Sequence, residues 1–318
     1  MDYLRQVKEW INRAWNAAAG FFRRRQGWTR AIIIGSYAFV MILLAAAAWR
    51  ERMLIIQWSS RLTFAVLVDF LFIYSLALTL VMIAWYLIIA QLSGVKSFWL
   101  HFCVYYMTNL ARRLPGLLWY LVGRAYMYEQ KGISKSTVAL GSALEAVLAL
   151  VAGLIVYLVS LPFVQQSSPI GLVWLLGAVI AGAILISPPV MTILYRWKGG
   201  NGKIPIGYGN LLIWLLILMF GWTLGGLAAA NLVGAIEPMP IRNTLYIIGV
   251  WGLSGSLSSV FVFLPSGAGV FEVSMAVMLS QIIPIPLAVF IVVALRILAI
   301  LLELVWGLIA LILTRTSY

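Results

Sequence analysis

The sequence predicts an all-α polytopic membrane protein: about seven transmembrane helices plus two broken or re-entrant helical segments in an internal repeat. Three observations carry that prediction. Of the 318 residues, 64% are hydrophobic and 10% charged, where soluble domains run near ~45–50% and ~25%; mean hydropathy is +1.03. Apolar runs close to the ~20 residues that a span needs recur along the chain. Two further stretches interrupt such runs with proline, glycine and charge together. The longest polar stretch is the first 30 residues, too short to fold alone, which excludes a soluble catalytic, ligand-binding or nucleic-acid module.

Cys103 and His101 are the single cysteine and histidine. An intramolecular disulfide is therefore excluded, as are metal sites built from three or four His/Cys ligands. Both lie among Phe98, Trp99, Phe102, Tyr105 and Tyr106 and read as packing residues. No nucleotide motif is present and no cofactor is expected. Lys and Arg number 22 against 9 Asp and Glu, a formal net charge of +13. In a membrane protein that excess reads as topology, with Lys and Arg on the cytoplasmic side, and secondarily as attraction to anionic headgroups.

In chain order, residues 1–30 come first. Leu4, Val7, Ile11, Trp15, Ala18 and Phe22 recur at helical spacing, with Arg5, Lys8, Glu9, Asn12 and Arg13 mostly off that face. This is the pattern of an interfacial amphipathic helix, and no signal-peptide cleavage site follows it. Arg23, Arg24, Arg25 and Arg30 complete a basic segment that sets the N-terminus in the cytoplasm. Residues 31–318 read as a single transmembrane domain. Its expected spans are Ala31–Trp49, Val66–Leu92, Thr137–Phe163, Ile170–Trp197, Leu211–Ile236, Thr244–Leu264 and Ile285–Thr314. Ser97–Gln130 and Pro265–Pro284 are the broken stretches, tolerated in a bilayer only when buried in protein or lining water. The sixth span carries Gly252, Ser254, Gly255, Ser256, Ser258 and Ser259, which suits either tight helix packing or a cavity wall.

The two broken stretches resemble each other. Leu114-Pro115-Gly116 is followed by Arg124 and then Glu145; Leu264-Pro265-Ser266-Gly267 is followed by Glu272 and then Arg296. Pro115 precedes Glu145 by 30 residues and Pro265 precedes Arg296 by 31. The repeat units run roughly over 66–163 and 244–314, with the order of charges swapped. Their relation, parallel or inverted, is left open by the span count. Repeats of broken helices mark transport sites at the repeat interface.

Eight ionisable residues fall at or near hydrocarbon depth: Asp69, Arg112, Arg113, Arg124, Glu145, Glu272, Arg296 and Glu303. A charge at a helix centre costs ~2.5–3.5 kcal/mol, so these groups must be paired or hydrated. The swapped order suggests pairing across the repeat, Arg124 with Glu272 and Glu145 with Arg296. Arg296 and Glu303 are two turns apart on one face and suit the wall of one cavity. Such pairs serve equally as structural locks or as a substrate site. Helices expected after Pro115-Gly116 and after Pro265-Ser266-Gly267 would turn N-termini toward an anion, with Ser266, Gly267 and Gly269 allowing close backbone approach. Arg112 and Arg113 either fork onto a phosphate or snorkel to the interface.

At these residues the chain resembles the lysylphosphatidylglycerol synthase transmembrane-region family. Leu264-Pro265-Ser266-Gly267-Ala268-Gly269-Val270-Phe271-Glu272 is similar to that family's Pro-Gly-Gly-x-Gly-x-x-Glu signature. Ser266 stands at a usual glycine and Phe271 at a usual arginine-like position. Leu114-Pro115-Gly116 with Arg124 resembles its upstream motif, and the likeness covers roughly Val66–Thr314. It implies a polytopic, lipid-translocating module of a prokaryotic cytoplasmic membrane, here without the aminoacyl-transferase domain of the best-known members, working beside a lipid-modifying enzyme. The expected function is transport of an anionic or phosphate-bearing lipid between leaflets. The phosphate would meet Arg112, Arg113, Arg124 and Arg296. Glu145, Glu272 and Glu303 would hold those arginines or carry a coupling proton. The alternatives are an intramembrane enzyme on a lipid-linked substrate, with Glu272 as general base, and a non-catalytic membrane subunit.

Overall fold

The computed structural model describes residues 52–109, 118–163, 169–197, 206–260 and 269–316, and no strand occurs among them. The helices are α1 (Arg52–Arg61), α2 (Phe64–Ser93), α3 (Phe98–Asn109), α4 (Leu118–Glu129), α5 (Lys135–Ser160), α6 (Pro169–Ile186), α7 (Pro188–Trp197), α8 (Tyr208–Ile236), α9 (Ile241–Val260), α10 (Val270–Leu279) and α11 (Ile285–Thr316). A 3-10 turn over Leu161–Phe163 extends α5. Arg61–Thr314 forms one compact unit, and the described residues 52–60 and 315–316 belong to another. Within the latter, the hydroxyls of Ser59 and Ser60 donate to the carbonyls of Ile56 and Gln57.

Four stretches are long and apolar enough to cross a membrane: Phe64–Ser93, Lys135–Phe163, Tyr208–Ile236 and Ile285–Thr314. The architecture is that of an integral membrane protein. These four contain the expected spans Val66–Leu92, Thr137–Phe163, Leu211–Ile236 and Ile285–Thr314. The expected span Ile170–Trp197 is divided instead. α6 stops at Ile186, and α7 restarts with Pro188 at its first position, where a missing N–H does no harm. The sixth span is the 20-residue helix α9, whose glycines and serines dilute its apolar character. Residues 1–30, the span Ala31–Trp49, and Arg112, Arg113, Ser266 and Gly267 lie outside the described residues.

Local signals explain the helix ends. The Thr63 side chain caps α2 by accepting from the Val66 N–H at 3.4 Å. At the other end the Gly94 N–H reaches the Ala90 carbonyl at 2.9 Å. Between α4 and α5 the chain closes a Schellman motif: Ile133 N–H to Tyr128 carbonyl, and Gly132 N–H to Glu129 carbonyl, both at 3.0 Å. That motif needs a left-handed residue, and Gly132 supplies it with φ of 79°. Ser134 then caps α5 by accepting from Thr137 N–H.

Contacts give the helix directions. Arg61 Nη1 donates to the Ile236 carbonyl at 2.5 Å, and Trp214 shares a cluster with Ala84 and Ile88, so α2 and α8 are antiparallel. Ser256 Oγ donates to the Leu150 carbonyl, and Trp222 Nε1 to the Ala149 carbonyl. α9 therefore runs against α5 and α8 runs with it. The α5–α9 crossing is a backbone contact: a Cβ on Gly153 would lie 2.6 Å from the Gly252 carbonyl oxygen, and one on Gly252 2.8 Å from that of Gly153. Small residues of this kind let membrane helices approach closely. Arg242 Nε donates to the Phe163 carbonyl at 3.2 Å, and Tyr246 OH to the Met278 carbonyl at 2.8 Å. One end of the bundle therefore gathers Arg61, Phe163, Ile236, Arg242 and the α10–α11 turn. Lys96, Glu129, Lys131 and Lys135 belong to the opposite end. α2, α5, α8 and α9 form the centre, with the α3–α4 hairpin against α2 and α5 and α10 beside α9; α11 meets α2 and α3, where Trp306 Nε1 donates to Ser75 Oγ at 3.0 Å and the Trp306 ring stacks on Tyr106.

Candidate functional site

α4 and α5 are a short and a long helix joined by a tight turn, and so are α10 and α11. In the second unit, the Ile282 and Ile283 N–H groups close the turn on the Leu279 carbonyl, and Ala288 N–H opens α11 on the Pro284 carbonyl. Each unit carries one arginine–glutamate pair between its own arms. Arg124 Nη1 meets Glu145 Oε2 at 2.5 Å, and Arg296 Nε meets Glu272 Oε1 at 3.1 Å. This corrects the expected cross-pairing of Arg124 with Glu272 and Glu145 with Arg296. A tight turn lays residues at comparable depth on adjacent arms, so each pair closes within its own hairpin.

The first pair is sealed. Arg124 is 0% exposed, and its guanidinium carbon lies 4.0 Å from the Trp85 ring centroid, 5.0 Å from that of Tyr105 and 5.4 Å from that of Tyr120. Cation–π attraction strengthens when the cation is desolvated, so three rings and one carboxylate replace water around this charge. Trp85 is itself fixed. Its Nε1 donates to Tyr128 OH at 2.9 Å, and Tyr128 OH meets His101 Nδ1 at 2.9 Å. His101 Nε2 meets the Val95 carbonyl at 2.9 Å. A carbonyl only accepts and an indole N–H only donates. The chain is therefore satisfied when neutral His101 carries its proton on Nε2 and accepts from Tyr128 at Nδ1. His101 and Cys103 are packing residues, as the sequence suggests, and the histidine also holds a hydrogen-bonded brace.

A cavity of about 750 Å³ opens among α2, α3, α4, α5, α8, α9, α10 and α11. That size lies within the ~300–1,000 Å³ of small-molecule sites. Its wall is mostly apolar: Ala77, Val81, Ala139, Ala146, Leu218, Trp222, Trp251, Phe271 and Leu295 contribute. Charged and polar groups interrupt it at Lys135, Ser142, Glu145, Asn109, Ser258, Ser259, Arg296 and Glu303. Arg296 and Glu303 do share the wall of one cavity, as their spacing suggests. Ser258, Ser259 and Gly255 also line it, whereas Gly252 packs on α5, so α9 uses its small residues both ways. Arg124 does not line the cavity; Tyr105, Tyr120 and Glu145 stand between. Asp69 is exposed on α2 and takes no part. Gly269 is the N-cap of α10 with φ of 80°, and Glu272 lies in the first turn of that helix. That helix N-terminus thus already holds a carboxylate, which its dipole favours.

Sequence reasoning missed the aromatic cage of Trp85, Tyr105 and Tyr120, and it missed Asn109 and Ser142. Ser142 is three residues before Glu145 on the same face of α5, a spacing that marks it as a neighbour of the charge. Asn109 is one turn after Tyr105 on α3. Among the described residues no group of three His, Cys, Asp or Glu is placed to hold a metal.

Comparison with protein-family models finds no match, and comparison with curated proteins finds no relative. The family likeness therefore rests on the residues of the two motifs alone.

Proposed function

We propose that this chain moves an amphipathic, phosphate-bearing lipid between the leaflets of a prokaryotic cytoplasmic membrane. The headgroup passes through the cavity and the tails stay in the bilayer. The observation that carries the reading is the cavity itself, which sets Arg296, Glu145 and Glu303 into a mostly apolar wall inside a bundle of membrane-spanning character. Ionisable groups in such a place are costly and mark substrate or proton pathways. Arg296 meets the phosphate, and Glu272 holds Arg296 when the site is empty. Glu303 is suited to a coupling proton, and Arg112 and Arg113 add cations from the first broken stretch. Arg124 with Glu145 is the lock of the first hairpin rather than a headgroup ligand. The second hairpin repeats the first with its charges exchanged, which supports an internal repeat around the cavity. The end bearing Lys96, Lys131 and Lys135, with Lys198 and Lys203 in the connection from α7 to α8, faces the cytoplasm by the positive-inside rule. A lipid-modifying enzyme is the natural partner.

The test is headgroup accessibility in liposomes holding the purified protein, fluorescent phospholipids and a membrane-impermeant quencher, with and without a proton gradient. Quenching should pass beyond the outer-leaflet half in a protein-dependent way and be lost in folded Arg296→Ala. Quenching that stays at the outer half for every lipid, gradient included, would overturn the proposal and favour the enzyme or subunit readings.

A further inference from the structure

We infer that the cavity contains a hydroxyl-recognition subsite built by Asn109 and Ser142, so that the headgroup taken there bears hydroxyl groups besides its phosphate. The inference rests on the lipid-headgroup reading of the cavity. Asn109 is 6% exposed and Ser142 3%, and both line the cavity. Asn109 Oδ1 and Ser142 Oγ are buried atoms without a hydrogen-bond partner. Buried polar groups are otherwise almost always bonded, and leaving one unmade is costly. The two side chains line one cavity from different helices, and because the orphan atoms themselves are covered, a ligand meets them when each side chain turns toward the open space.

The chemistry narrows the ligand. Asn109 Oδ1 requires a donor, which neither a phosphodiester oxygen nor an acyl chain offers. Ser142 both donates and accepts. A ligand hydroxyl meets both needs, and it fits Asn109 in either orientation of the amide. An ammonium only donates and is drawn instead to the carboxylate of Glu303 on the same wall. The source is a lipid headgroup rather than a free polyol, because the surrounding wall is apolar and gives a small polar solute little to bind.

The experiment measures retention of guest lipids by the full chain in phosphatidylcholine nanodiscs, read by native mass spectrometry. The guests share their acyl chains: phosphatidylmethanol, with one negative charge and no hydroxyl; phosphatidylglycerol and phosphatidylinositol, with the same charge and hydroxyls; and phosphatidylethanolamine. The hydroxylated lipids should be retained about fivefold to tenfold better than phosphatidylmethanol, the scale of a net hydrogen bond or two. Ser142→Ala and Asn109→Leu should each shrink that gap at least threefold and leave phosphatidylmethanol unchanged. Ser142→Ala removes an orphan hydroxyl and keeps a good helix former, so it guards against a folding defect. Equal retention of phosphatidylmethanol and the hydroxylated lipids, a preference for the ethanolamine lipid, or a gap unchanged in both variants would overturn the subsite. So would abolition of the gap by millimolar free glycerol, which assigns the site to a soluble polyol. Retention of no phospholipid at all would instead overturn the headgroup reading together with the subsite.

Discussion

Arg124 and Glu145 meet at 2.5 Å with side chains 0% and 5% exposed, whereas Arg296 and Glu272 meet at 3.1 Å with side chains 29% and 28% exposed. The chemistry is the same and the hairpin frame is the same. What differs is the surroundings. Trp85, Tyr105 and Tyr120 close around the first guanidinium, while the second lies on the cavity wall. A sealed pair resists separation, because either partner alone would be a buried, uncompensated charge. An arginine on a cavity wall can exchange its carboxylate for a ligand. On the proposed reading, the difference gives the first hairpin a holding role and the second a working role.

The largest effect expected from that contrast is on stability. Glu145→Ala leaves Arg124 buried without its carboxylate, a loss of about 3–5 kcal/mol. Glu272→Ala should cost under about 1 kcal/mol, as for an accessible ion pair. Thermal unfolding of the two purified variants, followed by tryptophan fluorescence, reads the gap directly. The double variant Arg124→Met with Glu145→Leu should recover most of the loss, since a buried pair replaced by apolar side chains of similar volume is often neutral. Equal melting of the two single variants would break the comparison.

Part of this was legible in the chain. The four long spans follow from hydropathy and length, and the short-helix hairpins follow from Pro and Gly set among charges. The repeated spacing of Pro115 to Glu145 and Pro265 to Arg296 points to the two hairpins that carry the arginine–glutamate pairs. The pairing of charges was not legible. Swapped signs permit cross-pairing and self-pairing alike, and only the turn geometry at Gly132 and at Leu279–Pro284 decides between them. Asn109 carries no signal of its own, because one polar side chain on an apolar helix has the pattern of ordinary packing, and Ser142 is marked only by its spacing from Glu145. The division of Ile170–Trp197 could have been read from Pro188-Pro189, which length and hydropathy overrode.

A middle-sized effect tests what keeps the first hairpin sealed. Tyr128→Phe removes the acceptor of the Trp85 indole N–H and the donor to His101 Nδ1, leaving two buried groups unbonded. A loss of about 1–3 kcal/mol is expected. His101→Gln, which can still donate to the Val95 carbonyl and accept from Tyr128, should lose less than His101→Ala. The same unfolding measurement ranks the three variants. If Tyr128→Phe melts with the wild type, the brace contributes nothing and the cage around Arg124 stands on ring packing alone.

The smallest stability effect sharpens the contrast most, because it separates holding from working at a single atom. Glu272→Gln keeps the shape of the second pair and removes its charge, so unfolding should shift by less than about 1 kcal/mol. The guanidinium of Arg296, no longer held by that carboxylate, becomes more available to an anion in the cavity. Retention of phosphatidylmethanol in nanodiscs should therefore rise severalfold in Glu272→Gln and fall in Arg296→Gln, with neither variant losing its fold. Translocation should slow in both, for opposite reasons: the first variant releases the phosphate poorly and the second captures it poorly. A ligand that must displace a carboxylate is bound more weakly but leaves more readily, since the carboxylate returns to take its place. If Glu272→Gln and Arg296→Gln change retention in the same direction, Glu272 belongs with the headgroup contacts, and the second pair is a binding site in both its members rather than a cation and its keeper.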